Sequence, residues 1–187
     1  MRLTLILFSA AVAAAGTAPA AAQGFRIELH SGIDNVGSED GRDSGLLYGI
    51  GVGYDLRMGT SAFAGIEVNA EDSEARRCDT GLLVANDELC THTERDLSAA
   101  VRAGARVGAG GRAYALLGYS RGRIFSAYTA PTGPNIFTTR DLDGIRGGVG
   151  FQQQINGRFY GKLEYRYTNY EDGIVRHQGI LGIGITF

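Results

Sequence analysis

Apolar and polar residues alternate along most of the chain with a period of two, the spacing that sends successive side chains to opposite faces of a strand. From 159 to 167 one face carries Phe159, Gly161, Leu163, Tyr165 and Tyr167, and the other carries Tyr160, Lys162, Glu164 and Arg166. The last stretch sets His177, Gly179, Leu181, Ile183, Ile185 and Phe187 against Arg176, Gln178, Ile180, Gly182, Gly184 and Thr186. Eight such segments are predicted, at about 24–34, 45–56, 61–71, 95–108, 112–125, 142–155, 158–170 and 176–187. Beyond the first 23 residues no segment has helical spacing. In 112–125, Tyr114, Leu116 and Gly118 compete with Ala115, Leu117 and Tyr119 for the apolar face, which predicts a bulge or register change there.

The connections alternate in length. Short ones fall at 57–60, 109–111 and Asn156-Gly157, the last a dipeptide favoured in type I′ hairpins. Long ones fall at 35–44, 72–94, 126–141 and 171–175. This is an all-β, eight-stranded antiparallel up-and-down β-barrel with one elaborate end. About 9–11 residues suffice for a tilted strand to cross an outer membrane, and these segments are long enough.

Composition decides between a soluble and a transmembrane barrel. Of 187 residues, 29 are Gly and 3 are Pro, where ordinary usage gives about 7% Gly. The glycines crowd the polar face, at Gly49, Gly51, Gly53, Gly65, Gly104, Gly148, Gly150, Gly182 and Gly184. By alternation the same face holds Arg26, Arg102, Arg106, Arg146, Lys162 and Arg166 beside Glu28, Asp55, Glu67, Asp96 and Glu164. Near-balanced charge beside small residues suits a narrow packed lumen, where paired networks are tolerated and an unpaired charge is costly. The face rich in Ala, Val, Ile, Leu and Tyr then meets lipid. A soluble lipocalin-like carrier would instead need a bulky apolar interior.

Residues 1–22 read as a secretory signal peptide, with Arg2, an apolar run from Leu3 to Ala15 and a small-residue end at Ala20-Ala21-Ala22, leaving 23–187 as the barrel domain. In an exported chain the only two cysteines, Cys78 and Cys90, read first as a disulfide. Closing that loop is worth about 3 kcal/mol in the chain-entropy model. With His92 they are one ligand short of a structural zinc site.

The stretch Gly161-Lys162-Leu163-Glu164-Tyr165-Arg166-Tyr167 after the Asn156-Gly157 turn, and the final strand from Gly179 to Phe187, resemble the OmpA-like and opacity-type eight-stranded outer-membrane barrels of Gram-negative bacteria. The resemblance is close over roughly the last 45 residues and architectural before them. It implies that Leu181, Ile183, Ile185 and Phe187 form the signal read by the outer-membrane assembly machinery. It further implies that the barrel contacts outer-membrane lipid and that both termini are periplasmic. The peptidoglycan-binding domain of larger members is not expected, so cell-wall tethering is not carried over.

The long connections then face outwards. With their flanking residues they hold 13 carboxylates, Glu71 and Asp87 among them, against five arginines, Arg176 among them. Such an acidic cap argues against nucleic acid or other polyanions and leaves an extracellular partner to be identified. No stretch has the spacing of an EF-hand loop.

Catalysis finds little support. No Ser lies two residues from His30, His92 or His177, although pairing of His177 with Ser126 or Thr168 across strands stays open. Glycine runs at 49–53 and 147–150 sit within strands, so no dinucleotide site and no cofactor is expected. The sequence therefore favours a noncatalytic integral outer-membrane protein, serving envelope integrity and surface interactions through its loops. The alternatives are a small pore, a lipid-active enzyme and a secreted soluble carrier.

Overall fold

A computed structural model describes residues 24–38, 41–81, 86–132 and 135–187; the signal-peptide segment, together with Glu39 and Asp40 of the acidic cap, lies outside the described residues. The chain runs through nine strands: β1 Phe25–Ser38, β2 Gly41–Met58, β3 Ala62–Ser73, β4 Arg76–Thr80, β5 Glu88–Val107, β6 Gly111–Thr129, β7 Ile136–Asn156, β8 Phe159–Tyr170 and β9 Val175–Thr186. Each pairs antiparallel with its sequence neighbour, except that β3 passes over β4 to pair with β5 from Ala62↔Ala105 to Asp72↔Arg95. Pairing of β1 with β9 closes the ring. Eight strands form the ring, and β4 is an added short strand hydrogen-bonded to the outer half of β5.

Parity sets the packing. In β8 burial alternates residue by residue, with Tyr160, Lys162, Glu164, Arg166, Thr168 and Tyr170 buried and Leu163, Tyr165 and Tyr167 exposed. The outward apolar residues form a band: Ile145 is 66% exposed and Leu181 67%, values that make sense only against hydrocarbon. Above it the outward face turns charged, at Asp72, Arg95, Arg121 and Asp143. Tyr48, Tyr119 and Tyr167 ring that upper edge, and Phe25, Phe151, Phe159 and Phe187 the lower. This is the aromatic girdle of a membrane barrel, around a band about 25 Å tall.

At β6 the interior departs from a purely polar lumen. β6 keeps continuous register with β5 from Asp96↔Gly122 to Val107↔Gly111, and Tyr114 and Leu116 point inwards. The register shift expected in 112–125 falls at the end of that segment, where Ile124 pairs with Thr93 and Gly122 with Asp96, and a second lies between Gln154 and Asn156 on β7. β6 looked ambiguous because the lumen is itself apolar there: Phe63, Ala100, Tyr114 and Leu116 form a buried cluster.

The β7–β8 hairpin also differs from the type I′ expectation. Asn156 pairs with Phe159, so Gly157 and Arg158 are the loop residues, and Gly157 alone takes a left-handed φ of 48°. Glycine at the first loop position is the type II′ pattern, reached because the Gln154/Asn156 irregularity shifts the register.

Candidate functional site: the charged lumen and the outer sheet

Ion-pair layers fill the barrel between its two ends. Nearest the short turns, Arg102 donates from Nε to Asp55 at 2.9 Å, and its guanidinium lies 4.7 Å from the Tyr114 ring centroid and 5.4 Å from that of Phe63. Half-buried Arg112 approaches the same Asp55 at 3.4 Å. Next, Arg26 donates to Glu67 at 2.8 Å, Lys162 pairs with Glu28, and Tyr114 donates to Glu164. Above these, Arg166 bridges Glu164 and Glu71, while His30 sits between Glu71 at 2.9 Å and Glu28 at 3.3 Å. The outermost layer centres on Asp96, which accepts from Arg146 at 2.9 Å, Arg176 at 2.6 Å, Ser120 at 2.6 Å and Tyr170. Arg176 also grips Asp34, with Nε to Oδ1 at 2.7 Å.

These distances explain why so many charges sit in a low-dielectric interior. Arg26, Arg102, Arg146, Lys162, Arg166 and Arg176 are buried with Glu28, Asp34, Asp55, Glu67, Glu71, Asp96 and Glu164. Each removed from water without a partner would cost several kcal/mol, and each has one. The small residues make room. A Cβ on Gly53 would meet the Arg26 guanidinium, and one on Gly150 or Gly184 would overlap the Tyr114 or Tyr160 ring.

Ten of the eleven charges placed in the lumen by alternation meet there, and Arg106 does not. It keeps the inward parity of Arg102 but is exposed beside the short β5–β6 turn, where the strand has run past the lumen. Three residues counted with the acidic cap are buried instead. Glu71 and Arg176 belong to the lumen layers, and Asp87 accepts a hydrogen bond from Tyr128 at 3.0 Å. Asp34, His30, Tyr114, Tyr160 and Tyr170 complete the network. Alternation sets Tyr160 beside Lys162 and His30 in the lumen, whereas Tyr114 lies in the ambiguous 112–125 segment and Tyr170 and Asp34 abut predicted loops.

The histidines hold no nucleophile geometry among the described residues. His177 faces outwards, with Nδ1 2.7 Å from the Tyr165 hydroxyl and its ring packed on Tyr167. Thr168 faces inwards and accepts from Arg146 at 2.9 Å, and the Ser126 hydroxyl lies 3.3 Å from that of Thr91. Leu181 and Ile183 are outward and exposed, with Ile185 and Phe187 half-buried beyond them.

Beyond the membrane band the strands continue. β8 pairs with β7 only from Gly144 to Asn156, so Ile136–Asp143 stands clear of the ring, bonded to β6 alone. With β4 and the outer halves of β5 and β6 it forms a projecting four-stranded sheet. One side bears Phe125 and Phe137 stacked at 6.0 Å, with His92 tilted against Phe125 at 6.5 Å. At its base Arg123 and Arg121 hold Asp141 at 2.8 and 3.1 Å, and the hydrogen bond from Arg123 keeps this exposed carboxyl below the usual carboxylate range. Cys78 and Cys90, directly opposite one another on β4 and β5, are joined by a disulfide.

The chain matches the family description of an outer membrane protein beta-barrel domain over residues 4–187. No curated protein matches it. Among solved structures it is similar to Ail, the attachment invasion locus protein of Yersinia pestis, at 16% identity over 88% of this chain and 99% of that one, with a TM-score of 0.61. It is also similar to Neisserial surface protein A, at 14% identity over 88% and 97% of the two chains and a TM-score of 0.59. The N-terminal β-barrel domain of Pseudomonas aeruginosa OprF gives 16% identity over 87% and 97%, with a TM-score of 0.51. Ail has in addition been solved in complex with the heparin analogue sucrose octasulfate. At such identities the likeness speaks for the fold, whereas the family match spans nearly the whole chain. The chain belongs to the outer membrane protein beta-barrel domain family.

Proposed function

We propose that this protein is a noncatalytic integral outer-membrane barrel that supports envelope integrity and makes surface contacts through its projecting sheet. In this reading both termini are periplasmic and residues 1–22 are the export signal. The observation that carries it is the continuation of β5, β6 and β7 beyond the apolar band into a sheet with an exposed aromatic side. Leu181, Ile183, Ile185 and Phe187 serve assembly, and the lumen charges serve stability. Among the described residues the outer surface keeps an acidic excess even with Glu71 and Asp87 buried, since Asp43, Asp72, Glu74, Asp79, Glu88, Glu94, Asp141, Asp143 and Glu171 outnumber Arg76, Arg95, Arg121, Arg123 and Arg140. That charge favours a neutral or basic extracellular partner over a sulfated polyanion of the kind bound to Ail.

Epitope tags test the orientation, one inserted at 82–85 and one in the 108–110 turn, each probed on intact and permeabilised cells. Antibody should reach the first on intact cells and the second only after permeabilisation. The opposite pattern would overturn the reading. Migration on a denaturing gel that shifts only on boiling is the accompanying check for a closed barrel.

A further inference from the structure

We infer that Cys78–Cys90 is a thiol-exchange site on the projecting sheet, primed by Arg76 and restrained by Glu88. Cys78 is exposed while Cys90 is 7% exposed, so an external thiolate meets the Cys78 sulfur first. Arg76 covers the bond: its Nε lies 3.2 Å from Cys78 Sγ and its Nη2 3.4 Å from Cys90 Sγ. A guanidinium in that position stabilises a departing thiolate, and a better leaving group is displaced faster. Glu88 acts against it, with Oε1 3.2 Å from Cys90 Sγ. The cation matters most as the bond opens, because a departing thiolate carries a charge that the closed disulfide does not.

The chemistry requires a small thiol of the surroundings as its only co-reactant. Its thiolate attacks Cys78 Sγ, the sulfur–sulfur bond breaks, and the electron pair leaves on Cys90 as a thiolate beside Arg76 that then takes a proton from water. Cys78 is left in a mixed disulfide with the small thiol. A second thiolate attacks the small-thiol sulfur of that adduct, freeing Cys78 and releasing the oxidised dimer. The cysteine pair gains two electrons, and the two small thiols lose them. The opened link leaves β4 held to β5 by the Arg76–Thr80 pairing and by the flanking bonds from Thr93 to Ala75 and from Gly81 to Asp87, so the exchange loosens the edge of the sheet and leaves the ring closed.

Glutathione is the probe. Detergent-purified protein would be incubated with it at graded concentrations, quenched with an alkylating reagent, and its peptides mapped by mass against time. The expected result is a glutathione adduct on Cys78 and a free, alkylated Cys90. Arg76→Gln should slow its formation by about threefold or more, Arg76→Lys should recover part of the rate, and Glu88→Gln should raise it. Unboiled gel mobility should be unchanged in all variants, which keeps a folded barrel under every measurement. An adduct chiefly on Cys90, no adduct at millimolar glutathione, or equal rates in wild type, Arg76→Gln and Glu88→Gln would each overturn the assignment.

Discussion

Arg166 and Arg106 have the same residue type and the same strand parity but opposite surroundings. Arg166 is fully buried between Glu164 and Glu71, whereas Arg106 is exposed at the short-turn end of β5. Replacing Arg166 with Leu leaves two carboxylates without their shared cation, and such an orphaned charge costs about 3–5 kcal/mol. Arg106→Leu removes a solvated charge and should stay within about 0.5 kcal/mol of wild type. Urea midpoints of the two variants in detergent, read by boiled and unboiled migration, should separate them, and equal midpoints would contradict the buried placement of Arg166. The chain's one lysine offers a second check at this scale. Lys162 is 3% exposed and paired with Glu28 and Glu164, so an amine-acylating reagent should leave it unmodified in the folded barrel and modify it after boiling. Modification of Lys162 at the same rate in both states would place it outside the lumen.

At the scale of single strands, β7 provides two glycines with contrary roles. A Cβ on Gly147 would meet nothing within 4 Å on the lipid side, whereas one on Gly150 would collide with the Tyr114 ring. Tyr114 cannot swing away cheaply, because its hydroxyl donates to Glu164 and its ring lies under Arg102. Gly150→Ala should therefore cost about 1–3 kcal/mol as overpacking. Gly147→Ala should be neutral or slightly stabilising, and similar urea midpoints for the two would count against this packing. The same parity that separates these glycines made the eight ring strands legible, since inside the membrane one face must be apolar and the other polar. It failed where that contrast disappears. Beyond the bilayer apolar and polar residues mix on both faces, as in Ile124-Phe125-Ser126-Ala127-Tyr128, so residues 88–94, 126–129 and 136–141 read as loops and the short β4 leaves no alternating signal. Glu71 and Arg176 read as cap residues for the same reason, because alternation marks where the lipid ends, not where the lumen ends. The Tyr114 and Leu116 ambiguity has the reverse cause: an apolar patch in the lumen removes the contrast from the inner side.

For the whole molecule, the layers bear on whether the barrel conducts. They lie in series along the axis, from Asp55 with Arg102, through Glu28 with Lys162 and Glu71 with Arg166, to Asp34 with Arg176 and Asp96. Passage through a series of plugs is governed by whichever plug remains shut. Opening one level by mutation should therefore leave the path closed, while the stability loss should still be felt by the barrel as a whole. Wild-type protein and Arg166→Leu, each reconstituted in a planar bilayer, should both give no sustained unitary current, although the variant unfolds at lower urea. A steady conductance in wild type would restore the pore reading. A conductance gained by Arg166→Leu alone would mean that the Glu164–Arg166–Glu71 level is the single barrier and that the layers above and below it leave room for ions.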